Sequence, residues 1–365
     1  MQIKDIILEL ERFAPPAFQE SYDNSGLLVG SGDWDCSGVI CTLDATEAVI
    51  LEAKAAGCNL VVAHHPIIFA GLKKINGKNY VEKTVISAIK NDIAIFAIHT
   101  NLDNVIEGVN NTIANKLGLI HKKILLPKPG LLSKLYTYIP QSGVENLKKS
   151  LFEVGAGQIG NYSECSFQVV GKGSFKGNED SHPSVGAPNE ITLLEEVKIE
   201  FLFPSWMKNK VISTLFQHHP YEDVAFEVIT LDNDNQYVGS GMIAELPELM
   251  DEKAFLQMLQ TSFGLTVIKH SPLIGKQIKK VALCGGAGSF LLKQAIASGA
   301  DVFVTSDLKY HEFFDADSKI LVADIGHWES EQFTIGLLID ILQAKFPTFA
   351  VLKSVIKTNP VNYFL

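Results

Sequence analysis

Cysteine is scarce in this chain, with five in 365 residues, and its placement excludes more than its number does. Cys36, Cys41, Cys58, Cys165 and Cys284 are odd in number and form no CxxC pair. Neither a disulfide framework nor a thiolate zinc knuckle is written here, so they read as buried free thiols. Long hydrophobic runs are also missing. Stretches such as 60–63 and 93–98 fall far short of the roughly 20 apolar residues that cross a bilayer as a helix, so no membrane span is expected. Residues 1–12 mix Lys4, Asp5, Glu9 and Glu11 with apolar residues at helical spacing, unlike a signal peptide, and the expected location is the cytoplasm. Positive charge is outnumbered, 31 Lys and Arg against 41 Asp and Glu for a net charge of −10. Such a surface repels nucleic acid as a whole, and a nucleic-acid partner is not expected. There is no short-period repeat and no low-complexity tract.

What is present is an alternation of apolar runs and amphipathic patterns. The runs 39–43, 60–63 and 93–98 are short and rich in Val and Ile, as buried strands are. Helical patterns cover 46–56, stopped by Gly57, then 80–90, then 108–117, closed by Gly118. This alternation predicts an α/β fold. It returns after about residue 275, with strands expected at 281–284, 302–305 and 320–323, helices at 289–297 and 308–316, and a final helix over 328–344. Between these blocks the order becomes strand 135–140, helix 144–154, strands 166–171 and 197–204, helix 206–217 and strand 225–231. That order, β-α-β-β-α-β, is the ferredoxin-like pattern, with an exposed loop over 171–189, which is crowded with Gly, Ser, Asn and Pro. A chain this long is expected to form two packed units. The pattern divides it into a discontinuous α/β core of residues 1–129 and 271–365 and an inserted α+β module of residues 130–270.

The chemistry-bearing residues gather at strand ends. His64 and His65 in VVAHHP, His99 and Asp103 in IFAIHTNLD, and His327 and Glu331 in LVADIGHWESE each follow a proposed strand. In an open α/β sheet the crevice beyond the carboxyl ends of the strands is where ligands bind, so these distant segments can converge. The four-residue step from His327 to Glu331 places both on one helix face. By itself that pair is more often a solvated helix face, but three imidazoles and two carboxylates at matching strand ends are hard to explain by packing. Imidazole plus carboxylate without thiolate suits zinc, iron, manganese or cobalt, and carboxylates that bridge suit two ions about 3.5–4 Å apart. His64, His65, Asp103, His327 and Glu331 are therefore the expected metal ligands. Asp44 and His99 also end strands and are candidates to orient a ligand or bind substrate, although Asp44 reads equally well as the N-cap of the helix beginning near Thr46. His311 is a further candidate for the cleft. The second HHP string, His218 to Pro220, has no carboxylate at ligand spacing and reads as a helix end and turn. The Gly-rich turn CGGAGS, residues 284–289, could cradle an anion, but lacks the Lys and Ser/Thr of a P-loop. Tight-turn geometry is its simpler reading.

Seven ordered motifs carry a family resemblance: YDNSGLLVG (22–30), CTLDAT (41–46), AHHPIIF (63–69), HTNLD (99–103), CGGAGS (284–289), TSDLKYHE (305–312) and DIGHWESE (324–331). Together they resemble the Nif-three-like, dinuclear-metal proteins named GTP cyclohydrolase 1 type 2 homologues. The resemblance places the family's ligands on the same His64, His65, Asp103, His327 and Glu331, with Asp103 and Glu331 as bridging carboxylates. It further implies a toroidal homohexamer, and the middle segment is similar to the PII-like or CutA-like insert of longer members. Two functions of different class follow. One is a metal-dependent hydrolase with two divalent ions per subunit, acting on a small nucleotide or other phosphorylated or cyclic amide substrate. The other is a non-enzymatic ring that senses metal or an effector and signals to a protein partner through its insert.

Overall fold

The structure is a computed structural model that describes residues 1–364. The chain divides into two compact units, one of residues 1–127 and 236–365 and one of residues 128–235. No helix among the described residues is long and apolar enough to cross a membrane.

The larger unit holds two sheets. The first orders its strands Gly26–Val29, Ala94–Ala97, Leu60–His65, Val39–Asp44 and Val351–Lys353. Neighbours are parallel except at the Gly26–Val29 edge. Its inner strands are buried on both faces, which is why they read as continuous apolar runs rather than alternating ones. Helices Glu47–Ala55 and Tyr80–Lys90 connect them, and Ile40, Val61 and Ile95 pack with Val49, Ile50 and Val85 in one core. The second sheet runs Lys269–His270, Leu321–Asp324, Val302–Ser306, Gln277–Ala287, Asn235–Asp251 and Ile120–Lys128. Its parallel centre packs Ala282, Phe303 and Val322 against Leu291, Leu292 and Ala295.

The smaller unit has the element order strand Leu132–Ile139, helix Val144–Glu153, strands Ser166–Lys176 and Ile191–Pro204, helix Lys208–His218 and strand Phe226–Leu231. Its sheet is antiparallel throughout, with the third strand between the second and first and the fourth on the first's other side. Leu135, Val197, Ile199 and Phe201 alternate inward onto Leu147, Leu151, Val211 and Leu215.

Three sequence expectations change. Residues 236–270, assigned to the insert, fold with the larger unit, because Met242 to Glu245 ladder antiparallel onto Leu283 to Lys280. The carboxylate of Glu252, at the start of helix Glu252–Phe263, accepts from the Ile274 and Gly275 amides and ties that helix in. The expected final helix is two, His327–Glu331 and Thr334–Lys345, and residues 310–316 form a 3-10 turn rather than an α-helix.

Candidate metal centre

The two parallel sheet centres aim their strand ends at one place. Asp44 and His65 end neighbouring strands and are register partners. His64 precedes His65 at the end of the same strand, and their ring centroids lie 5.0 Å apart; His64 is fully buried. Strand Ala94–Ala97 leads through His99 into the short helix Thr100–Asp103. From the other sheet, strand Val302–Ser306 delivers Asp307, and strand Leu321–Asp324 leads into helix His327–Glu331. That helix carries its first and last residues on one face, with His327 Nε2 3.2 Å from Glu331 Oε2.

The five expected ligands meet around Glu331, which is itself buried. His65 Nε2 lies 2.9 Å from Glu331 Oε2 and 3.3 Å from His327 Nε2. His64 Nε2 lies 3.5 Å from Asp103 Oδ1 and 3.9 Å from Glu331 Oε1. One donor atom each from His64, His65 and Glu331 fits within 4.8 Å. Each imidazole is held from behind through its other nitrogen. His64 Nδ1 donates to the Ile98 carbonyl at 2.8 Å, His65 Nδ1 to Asp44 Oδ1 at 2.7 Å and His327 Nδ1 to Asp307 Oδ2 at 2.6 Å. Anchoring Nδ1 fixes each ring and turns Nε2 toward the cluster, the arrangement found behind metal-bound histidines.

Burial disfavours a charged His65, yet its hydrogen bonds to Asp44 and Glu331 outweigh that and raise its pKa to about 9. Burial is likewise overcome at His327, where Asp307 and Glu331 raise it to about 11. Glu331 is held well below the carboxylate range against its own burial, chiefly by hydrogen bonds from His327 and His65. Burial, followed by the charge of Glu331, pushes Asp103 upward. Protons on imidazoles here occupy positions that metal cations would take.

The donor set fits divalent metal. His64 Nε2 and Asp103 Oδ1 are buried and have no hydrogen-bond partner, although buried polar atoms are almost always paired. The two atoms lie 3.5 Å apart, and His64 Nε2 is 3.9 Å from Glu331 Oε1. A cation between them would satisfy both orphaned atoms.

Asp44 does not cap the following helix, because Thr46 does so, accepting from the Val49 amide. Asp44 instead holds His65. His99 stands beside the cluster, its ring centroid 5.4 Å from that of His64 and 5.5 Å from that of His65. His311 is exposed and packs on Tyr310 and Phe314, and no hydrogen bond or ion pair joins it to the cluster among the described residues.

The family model for Duf34/NIF3 (NGG1p interacting factor 3) matches residues 1–360. The chain belongs to the DUF34/NIF3 family. Similar proteins named GTP cyclohydrolase 1 type 2 homolog occur in Staphylococcus aureus, 34% identical over 367 residues and 100% of both chains. One in Halalkalibacterium halodurans is 35% identical over 363 residues and 98% of both chains. A crystal structure of a Bacillus cereus protein related to NIF3 superposes with a TM-score of 0.87 at 33% identity, covering 100% of this chain and 99% of that one.

Several NIF3-motif residues acquire roles that sequence reasoning missed. Asp23, in YDNSG, accepts from His99 Nδ1 at 2.8 Å, from the Thr100 amide at 3.0 Å and from Ser25 Oγ at 2.9 Å. These bonds hold its pKa far below the usual range despite burial. Asp307, in TSDLKYHE, orients His327. The CGGAGS turn is a cradle for a side chain rather than an anion. Gly286 has φ 62°, and a Cβ there would lie 2.4 Å from Glu331 Oε1. Its amide already donates to Ser330 Oγ, and that of Gly285 to Asn110 Oδ1. An acid just past a strand end was the available signal for Asp307; Asp23 lies in a turn before strand Gly26–Val29 and offered none, and nothing local announced Gly286.

Proposed function

We propose that this NIF3-family chain is a metal-dependent hydrolase whose centre takes two divalent cations per subunit, drawn from zinc, iron, manganese and cobalt. The observation that carries the reading is the division of donors across Glu331. On one side stand Oε1, His64 Nε2 and Asp103 Oδ1; on the other stand Oε2, His65 Nε2 and His327 Nε2. Each group would offer three ligand atoms, with Glu331 common to both and Asp103 the second bridging candidate by resemblance. Such a pair of ions supplies Lewis acidity toward a phosphoryl or amide oxygen and lowers the pKa of water.

The protein's own contribution is positioning. Asp44, Asp307 and the Ile98 carbonyl hold the three rings, and the Asp23–His99 pair presents a fourth beside them. A cavity of about 560 Å³ opens onto His65 and His327 and is also lined by Lys269, Trp328, Asn359 and Tyr363, which suits a small molecule. The Lys269 ammonium in its wall is paired with the Asp324 carboxylate at 2.6 Å. The relatives' name points toward a nucleotide, and a small phosphorylated or cyclic amide substrate is the class proposed here.

The assembly proposed is the homohexamer that the resemblance implies, with residues 128–235 as a ferredoxin-like, PII-like or CutA-like insert. That unit has its own core, which favours a second reading, a ring that relays metal or effector state to a protein partner. Elemental analysis of purified protein should find about two metal ions per chain, and a panel of phosphate esters and cyclic amides should reveal turnover that Asp103→Ala abolishes. Metal without turnover over the whole panel would favour the relay; a chain that takes up no metal under metal-replete conditions would reject both.

A further inference from the structure

Residues 354–364 follow the edge strand Val351–Lys353 without regular structure. Beyond the bond from the Ser354 amide to the Cys41 carbonyl, no backbone-to-backbone hydrogen bond ties them to the unit among the described residues. Side chains hold them instead. Ser354 Oγ donates to Glu52 at 2.5 Å, Thr358 Oγ1 to Asp44 Oδ2 at 2.6 Å, and Asn359 Nδ2 to Glu329 Oε1 at 3.0 Å. Two consecutive residues thus grip elements from both sheets, the strand that ends at Asp44 and the helix His327–Glu331. The segment also walls the cavity, which Asn359, Pro360, Val361 and Tyr363 line together with His65 and His327.

We infer that this segment is a latch on the metal centre, with Thr358 a positioning residue that acts on His65 through Asp44. The inference rests on the metal reading above. Asp44 bonds His65 Nδ1 through Oδ1 and Thr358 through Oδ2. A carboxylate fixed at both oxygens cannot rotate, and the ring it holds keeps its Nε2 aimed at Glu331. Release of one oxygen frees the half-buried carboxylate to turn toward water, and His65 loses its orientation. The effect is local to one ion, since His64 is anchored through the Ile98 carbonyl and shares none of these bonds. Because segment and cavity are one structure, a molecule that enters by displacing residues 359–363 also loosens the grip on His65.

The test is a zinc titration of the full chain against a chromophoric chelator, comparing the parent with Thr358→Val and Thr358→Ser. The parent should show two sites. In Thr358→Val one site should weaken by about tenfold, the lower end of the range for groups that orient metal ligands, while the other is unchanged and Thr358→Ser restores both. Two affinities within about twofold of the parent would overturn the latch alone. Equal weakening of both sites with a lower melting temperature would also overturn it, since that is general destabilisation. A parent that takes up no zinc would bring down the metal reading and the latch with it.

Discussion

The tripeptide His-His-Pro occurs twice in this chain, and the two regions use it in opposite ways. At His64 and His65 the string ends a buried parallel strand, where backbone and carboxylate acceptors take each Nδ1 and both Nε2 atoms converge on Glu331. At His218 and His219 it ends a helix of the smaller unit. There His218 is exposed, while His219 spends both nitrogens on structure, donating from Nε2 to the Tyr138 carbonyl and accepting at Nδ1 from the Tyr221 amide. The difference lies not in the residue but in where its ring nitrogens go: both Nε2 atoms of the first pair point at one carboxylate, whereas His219 spends both nitrogens on backbone groups.

The contrast is sharpest at the acceptor the first pair shares. Glu331→Gln keeps the shape and removes the charge, and should lower the metal content measured by elemental analysis from about two ions toward none, an affinity loss beyond about 100-fold. Retention of both ions would erase the distinction between the two regions. Next in size, Asp307→Asn or Asp44→Asn should weaken zinc by about 10- to 100-fold, at the His65 and His327 side only, as read by chelator competition.

Acidity separates the regions in sign. His65 and His327 carry raised pKa values of about 9 and about 11 in the metal-free protein, so metal must displace protons. Zinc affinity should rise with pH, and calorimetry in buffers of different ionisation heat should detect proton release. Burial lowers the pKa of His219, so its fold favours the neutral ring. Its stabilising contribution is present above the unfolded value of about 6.5 and is lost as pH falls below it.

Smaller still, His219→Ala should cost the smaller unit about 1–3 kcal/mol by leaving a carbonyl and an amide unpaired, seen as an earlier denaturant midpoint with unchanged zinc content. His218→Ala should change stability by no more than about 0.5 kcal/mol and leave metal untouched. A loss of zinc in either variant would break the comparison from the other side.

Legibility followed the range of the interactions. Strand Val39–Asp44 and helix Glu47–Ala55 announce themselves through a Val- and Ile-rich run, a Thr46 cap and Gly57, all signals within a few residues. The five expected ligands were singled out because each lies at or shortly after a strand end. The second ring of residues was not. Asp307 and Asp23 matter only through histidines 20 and 76 positions away, and Thr358 acts on Asp44 across 314 positions. The insert's end was misjudged for the same reason, since strand Asn235–Asp251 is assigned by its partner Gln277–Ala287 and not by its own composition.

The sequence by itself determined the α/β alternation, the β-α-β-β-α-β order of the middle segment and the candidate ligand set, because hydrophobic period, caps and strand-end chemistry are local properties. Tertiary structure alone decided where the ring nitrogens of each histidine go, that Gly286 must lack a Cβ so that Glu331 can approach, and that Thr358 reaches Asp44. Hydrogen bonds and steric contact act over about 3 Å, and only folding brings residues hundreds of positions apart within that distance.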